Sequence, residues 1–204
     1  HLRAADGTTI VDLSYEDSAP WPETADGYGP SMVLIQPGHR DPAEGWNWRA
    51  SAEVGGSPNA DDYLTYDNWK DTHFSQADAG YPQIAEGDAD PDGDGVKNTT
   101  EYFLGTDPRS ATMRSALPQL SLETYDFGSG SANYAVLTFR YRRPAEDVQF
   151  KVVSSSDMMN WNSENLLHIA PPEIHDDGTE TRRYRYSEPV SNAEPRFLRL
   201  ELQH

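Results

Sequence analysis

The sequence predicts a mostly β chain with one short helical insert, and three observations carry that reading. Short apolar or alternating runs bounded by Gly, Pro, Asn and Asp recur toward both ends of the chain, as strands separated by turns do. A stripe of large residues at helical spacing interrupts them once, between Tyr63 and Phe74. Beyond it lies an acidic loop, residues 90–101, whose spacing is that of a metal site. The expected organisation is a β region over 1–60, a helix plus acidic loop over 61–108, and a β-sandwich over 109–204.

In the first region, 10–15 and 31–35 alternate or run apolar like strands. Trp46-Asn-Trp48 would place two indoles on one side of an extended segment, and Pro58 in Gly-Gly-Ser-Pro-Asn closes the region. In the second, Tyr63, Tyr66, Trp69, His73 and Phe74 form a helical face, with Asp61 or Asp62 as N-cap. Gly80, Pro82 and Gly87 then interrupt the chain, so no straight helix is expected to enter the loop. Tyr102, Phe103 and Leu104 form a short exiting helix, which Gly105 and Pro108 stop. In the third, the candidate strands are 119–123, 132–142, 148–154, 164–169, 179–186 and 196–202, and Asp176-Asp-Gly178 is a hairpin signal. Strands at this spacing suggest a sandwich.

The acidic loop reads Asp-Pro-Asp-Gly-Asp-Gly-Val-Lys-Asn-Thr-Thr-Glu. Asp90, Asp92 and Asp94 stand at loop positions 1, 3 and 5, Gly95 at 6, Asn98 at 9 and Glu101 at 12, the EF-hand pattern without a departure. Ca2+ is a hard cation that takes about six to eight oxygens, and alternate residues of a tight loop can point at one centre. Gly95 permits the reversal, Val96 can offer its carbonyl, and Glu101 would supply two oxygens from the first turn of the next helix. At average residue usage the five constrained positions coincide on the order of a few times per million start sites. The alternative is a solvated acidic turn, since Asp and Gly crowd turns anyway. Starting at Asp88 instead puts Thr99 at the twelfth position, so only the Asp90 register ends on an acid.

The chain holds 204 residues with 36% hydrophobic and 11% aromatic content, too aromatic for a disordered segment. It has no cysteine, which excludes disulfides, thiolate catalysis and thiolate metal sites. Net charge is −18, unevenly placed: 1–108 carry 5 Lys+Arg against 21 Asp+Glu (−16), and 109–204 carry 11 against 13 (−2). The acidic half disfavours nucleic acid and anionic membranes as partners and favours divalent cations. No apolar run approaches a membrane span; opening at His1 without a signal-peptide pattern, the chain is expected to be a processed or trimmed product or an artificially bounded fragment. Arg140, Arg142, Arg143 and Arg182, Arg183, Arg185 alternate within strand-like runs, as on a solvated sheet face.

Three stretches resemble known families. Leu13-Ser-Tyr15, Trp21-Pro, Asp26-Gly-Tyr28-Gly-Pro-Ser31, Trp46-Asn-Trp48, Ser51 and Gly55-Gly-Ser-Pro58 resemble the second half of a bacterial lamin tail domain. That resemblance implies a partial immunoglobulin-like β region without enzymatic activity, either completed by an upstream fragment or another chain or truncated. Residues 86–108, ending Glu101-Tyr-Phe-Leu-Gly-Thr-Asp-Pro108, resemble the calcium loops of dockerin-like and thrombospondin type 3-like repeats in secreted bacterial proteins. A dockerin needs two such loops, and one is present. The remainder, from Leu117-Pro-Gln-Leu through Ser154-Ser-Ser-Asp157 and Asn160-Trp161 to Arg196-Phe-Leu-Arg-Leu-Glu-Leu202, looks like the sandwich that follows the loop in such proteins.

Other candidate sites are weaker. Trp46 and Trp48 could stack on a polysaccharide, against which stands ordinary packing; Trp69 and Trp161 are expected in the core. His39, His73, His168 and His175 lack metal-ligand spacing, and Gly128-Ser-Gly-Ser131 reads as a loop. Asn98-Thr-Thr100 matches a glycosylation sequon but lies inside the acidic loop. The expected function is a non-catalytic, calcium-stabilised extracellular or cell-surface module at the C-terminal end of a larger secreted bacterial protein. Its metal ligands would be Asp90, Asp92, Asp94, Val96, Asn98 and Glu101. The alternatives are a carbohydrate- or cell-surface-binding module and a hydrolase fragment.

Overall fold

Alternating strands need partners, and in the computed structural model those among the described residues find them in four antiparallel sheets. The structure describes residues 1–203 apart from 19, 28, 36–40, 59, 61, 63, 64, 129, 144, 176–178 and 191–195, and leaves the side chains of 2, 24, 52 and 53 undescribed. The protein is mostly β with few, short helices. It divides into two compact units, His1–Leu64 and Thr65–His204. Most of the segment expected over 61–108, residues 65–108, thus falls in the same unit as the C-terminal strands.

The first unit pairs β1 (Leu2–Arg3) with β2 (Thr9–Val11), and β3 (Pro30–Leu34) with β4 (Trp48–Val54). Its small core gathers Trp21 and Ile35. The Trp46-Asn-Trp48 segment is not extended throughout. Residues Gly45–Asn47 form a 3-10 turn and only Trp48 begins β4. Gly45 allows this turn to lie under Trp21, because a Cβ there would sit 2.9 Å from the indole Nε1. The expected N-cap Asp62 instead pairs with the buried Arg49, Nη1 to Oδ2 at 3.3 Å. Asp61 and Tyr63 lie outside the described residues, as do Tyr28, His39, Ser129 and residues 176–178, where a hairpin was expected.

The second unit opens with α1 (Tyr66–His73), capped by Thr65, whose hydroxyl accepts the Asn68 N–H at 3.0 Å. Two single-turn helices follow, α2 (Gln76–Ala79) and α3 (Pro82–Ala85), separated by Gly80 and started again by Pro82 at the first helical position. Helix α4 (Asn98–Leu104) leaves the acidic loop and stops at Gly105, whose φ of 81° is the left-handed conformation a helix C-terminus favours. Trp69, Tyr102 and Phe103 are fully buried.

Among the described residues seven strands complete the unit: β5 (Gln119–Asp126), β6 (Ser131–Arg142), β7 (Gln149–Ser155), β8 (Leu166–His168), β9 (Glu173–Ile174), β10 (Thr179–Tyr186) and β11 (Phe197–Gln203). One sheet runs β5-β6-β10-β8, with β9 also on β10; the other pairs β11 with β7. The sheets meet through Phe139 of β6 and Phe150 of β7, ring centroids 5.2 Å apart. Phe103 of α4 enters the same cluster, stacked on Tyr141 at 4.8 Å. Asp147, in the β6–β7 turn, accepts the Tyr66 N–H through Oδ2 at 2.7 Å and the Tyr102 hydroxyl through Oδ1, tying α1 and α4 to the sheets.

Two sequence expectations change here. Arg143 and Arg182 are not on a solvated face: both reach Glu180, which is fully buried and also accepts the Tyr141 hydroxyl at 2.7 Å. Trp161 is half-buried rather than core, with the Arg199 guanidinium 4.0 Å above its ring.

Candidate metal centre

Residues 90–97 carry no regular secondary structure, and short polar side chains shape them by bonding their own backbone. Asp90 Oδ1 accepts the Gly93 N–H at 2.9 Å, and Oδ2 accepts the Gly95 N–H at 2.9 Å. Asp92 Oδ1 accepts the Asp94 N–H at 3.2 Å, and Asp94 Oδ1 accepts the Val96 N–H at 2.7 Å. The reversal needs left-handed backbone at Gly95, φ 89°, a conformation that side-chain-bearing residues rarely adopt. One oxygen from each of Asp90, Asp92 and Asp94 lies within 4.8 Å of the others. These three half-buried carboxylates could hold a metal ion.

Helix α4 carries two more of the predicted residues, Asn98 and Glu101, both fully buried, and Glu101 lies outside the three-carboxylate cluster. The Asn98 amide donates to the carbonyls of Ile84 and Glu86 at 2.8 and 2.9 Å, which ties α3 to the loop end. Gly87 lies so close to α4 that a Cβ would fall 2.2 Å from the Thr99 hydroxyl. Glu101 Oε1 accepts the Thr112 hydroxyl at 3.1 Å and, more weakly, the Thr106 hydroxyl at 3.4 Å.

Three buried oxygens have no hydrogen-bond partner: Asp92 Oδ2, Asn98 Oδ1 and Glu101 Oε2. Among the described residues no other buried side-chain oxygen is in that position. Buried polar atoms in folded proteins are almost always satisfied, and leaving one unpaired costs about 1–3 kcal/mol, more when charged. All three belong to the residues the twelve-residue pattern names as ligands. The donor set is all oxygen, as a hard cation requires. The residues fit such an ion.

The electrostatics agree. Burial pushes the Glu101 carboxyl up to about 7, and the charges of Asp92 and Asp94 add to the effect against the hydroxyls of Thr112 and Thr106. Burial also raises Asp92. Asp94 is lowered instead, by the N–H groups of Thr112 and Val96. A divalent ion would reverse the Glu101 effect by supplying the missing counter-charge.

The remaining candidates are placed apart from this centre. The Trp48 ring lies 6.1 Å from that of Trp21, and its indole N–H donates to the Pro42 carbonyl at 2.9 Å. Trp46 sits in the 3-10 turn and only Trp48 lies in β4, so the indoles do not share one strand face. His73 bonds the Trp69 carbonyl and His175 the Thr181 hydroxyl, at 2.9 and 2.8 Å. Asn98 is buried, so the sequon is inaccessible in the folded chain. Sequence reasoning did not find Thr112 or Asp147, for neither lies in a motif. No helix among the described residues is long and apolar enough to cross a membrane. Comparison of the chain with protein-family models, with curated proteins and with solved structures finds no match.

Proposed function

We propose that this chain is a non-catalytic, calcium-stabilised structural module of a secreted, extracellular bacterial protein. The observation that carries the reading is the set of three buried, unpartnered oxygens on Asp92, Asn98 and Glu101, beside the Asp90–Asp92–Asp94 cluster. Calcium would take these oxygens with the Val96 carbonyl and neutralise the converging carboxylates. Asn98 anchors the loop end to α3, and α4 carries Glu101 on the same turn as Tyr102 and Phe103, which sit in the core. Ion occupancy would in this way be coupled to the packing of the helical segment on the sheets. The resemblances to lamin tail domains and to dockerin-like or thrombospondin type 3-like loops support the extracellular setting.

Stabilisation follows mass action and reaches about 2.7 kcal/mol when free calcium is ~100 times its dissociation constant. The expected result is a melting temperature that rises with calcium and falls with chelator, and protease cleavage within 80–108 that chelator accelerates. Magnesium should protect less, because it demands a regular octahedral shell. Asp92→Ala should abolish the calcium response. If the parent and Asp92→Ala melt alike in calcium and in chelator, the proposal is wrong.

A further inference from the structure

A hydrogen bond to one oxygen of a carboxylate breaks the two-fold symmetry of its terminal torsion and fixes which way the group faces. In Glu101 the two oxygens are already unequal: Oε1 carries the Thr112 hydroxyl and Oε2 carries nothing. Thr112 reaches a second member of the cluster through its backbone, donating its N–H to Asp94 Oδ2 at 2.5 Å. One residue therefore holds two of the predicted ligands, eleven positions beyond Glu101 and outside the loop. The Thr112 hydroxyl also lies 3.3 Å from that of Thr106, but its single proton is better placed for Glu101 at 3.1 Å.

We propose that Thr112 is a positioning residue for the metal centre: its hydroxyl engages Glu101 Oε1 and leaves Oε2 as the unbonded oxygen, and its N–H orients Asp94. The inference rests on the calcium reading of residues 90–101. Groups that orient ligands from outside the coordination sphere commonly matter 10–100-fold in metal affinity. Thr112 also precedes the 3-10 turn Arg114–Ala116 and β5, so the same contacts would make the linker into the five-stranded sheet sense the ion.

The test is calorimetric titration of the calcium-free chain with Ca2+, for the parent, Thr112→Val and Thr112→Ser. Valine keeps the shape and the backbone N–H and removes the hydroxyl; serine restores it. The expected result is a dissociation constant raised about tenfold in Thr112→Val and close to parental in Thr112→Ser. Thr112→Val should also melt lower in chelator, because the buried Glu101 loses a hydrogen bond, so calcium affinity and its rescue by serine, not melting, read the positioning role. Should Thr112→Val fail to fold by circular dichroism, Thr112→Ala against Thr112→Ser reads the same hydroxyl. Parental calcium affinity in a folded variant without the hydroxyl overturns the inference and leaves the calcium reading intact. A parent that takes up no calcium overturns both.

Discussion

Glu101 shows how one side chain can oppose the fold in one condition and support it in another. It is fully buried, its neighbours Asp92 and Asp94 repel it, and Oε2 has no donor. Burying an ionised group without a partner is among the costlier arrangements a protein can hold. Glu101→Gln removes the charge and keeps the volume. In chelator near neutral pH, the variant should melt above the parent. In saturating calcium the order should invert, because the amide gives up a charged ligand. Differential scanning calorimetry of both proteins in both conditions checks the crossing, and parallel curves would sink the account. The ligand residues were legible from spacing because a twelve-residue loop is a local object. The unpartnered oxygens were not, since burial depends on segments far along the chain.

Short elements here depend on their ends and on their neighbours more than on propensity. Helix α4 spans seven residues, too few to be stable alone in water. Its C-terminus closes through the N–H groups of Gly105 and Thr106, which reach the Glu101 carbonyl at 2.7 and 3.0 Å. Gly105→Ala would force a side chain into left-handed backbone and bring a Cβ within 2.9 Å of Arg142 Nε. The expected cost is about 1–2 kcal/mol from the backbone alone, read by urea denaturation in calcium. The stop at Gly105 could be read from sequence because a glycine ahead of a proline is a local signal. The start of α1 was misplaced: its cap is Thr65 rather than Asp61 or Asp62, and Asp62 faces Arg49 in the first unit. Strand β9 was missed because two exposed residues carry no period.

Across the larger unit, an aromatic cluster and a buried charge cluster hold the sheets. Phe139 and Phe150 join the sheets, and Phe103 brings α4 into the same core. Glu180 of β10 sits opposite Tyr141 of β6 in register and draws in Arg143 and Arg182. Glu180→Gln would leave the two guanidinium groups without their shared carboxylate. Removing one partner of a buried ion pair costs about 3–5 kcal/mol, so chemical denaturation should show a loss of that order. A loss well below about 1 kcal/mol would mean that solvent reaches the cluster. Alternation of the arginines reports that two faces differ, not which one is covered.

The sequence by itself determined the mostly β character, the longer strands and the spacing of the candidate ligands. β6 runs Ser131–Arg142 where 132–142 was expected, and β10 matches its expected bounds, because period-two alternation and turn residues are properties of neighbouring positions. Tertiary structure alone decided which polar groups are buried and who meets them. Asp147 bonds α1 and α4 from a turn between strands, Thr112 reaches back to Asp94 and Glu101, and Glu180 gathers arginines from β10 and from the turn after β6. Such contacts join residues that share no period and no motif. They exist only once the hydrophobic faces have packed and fixed the distance between them.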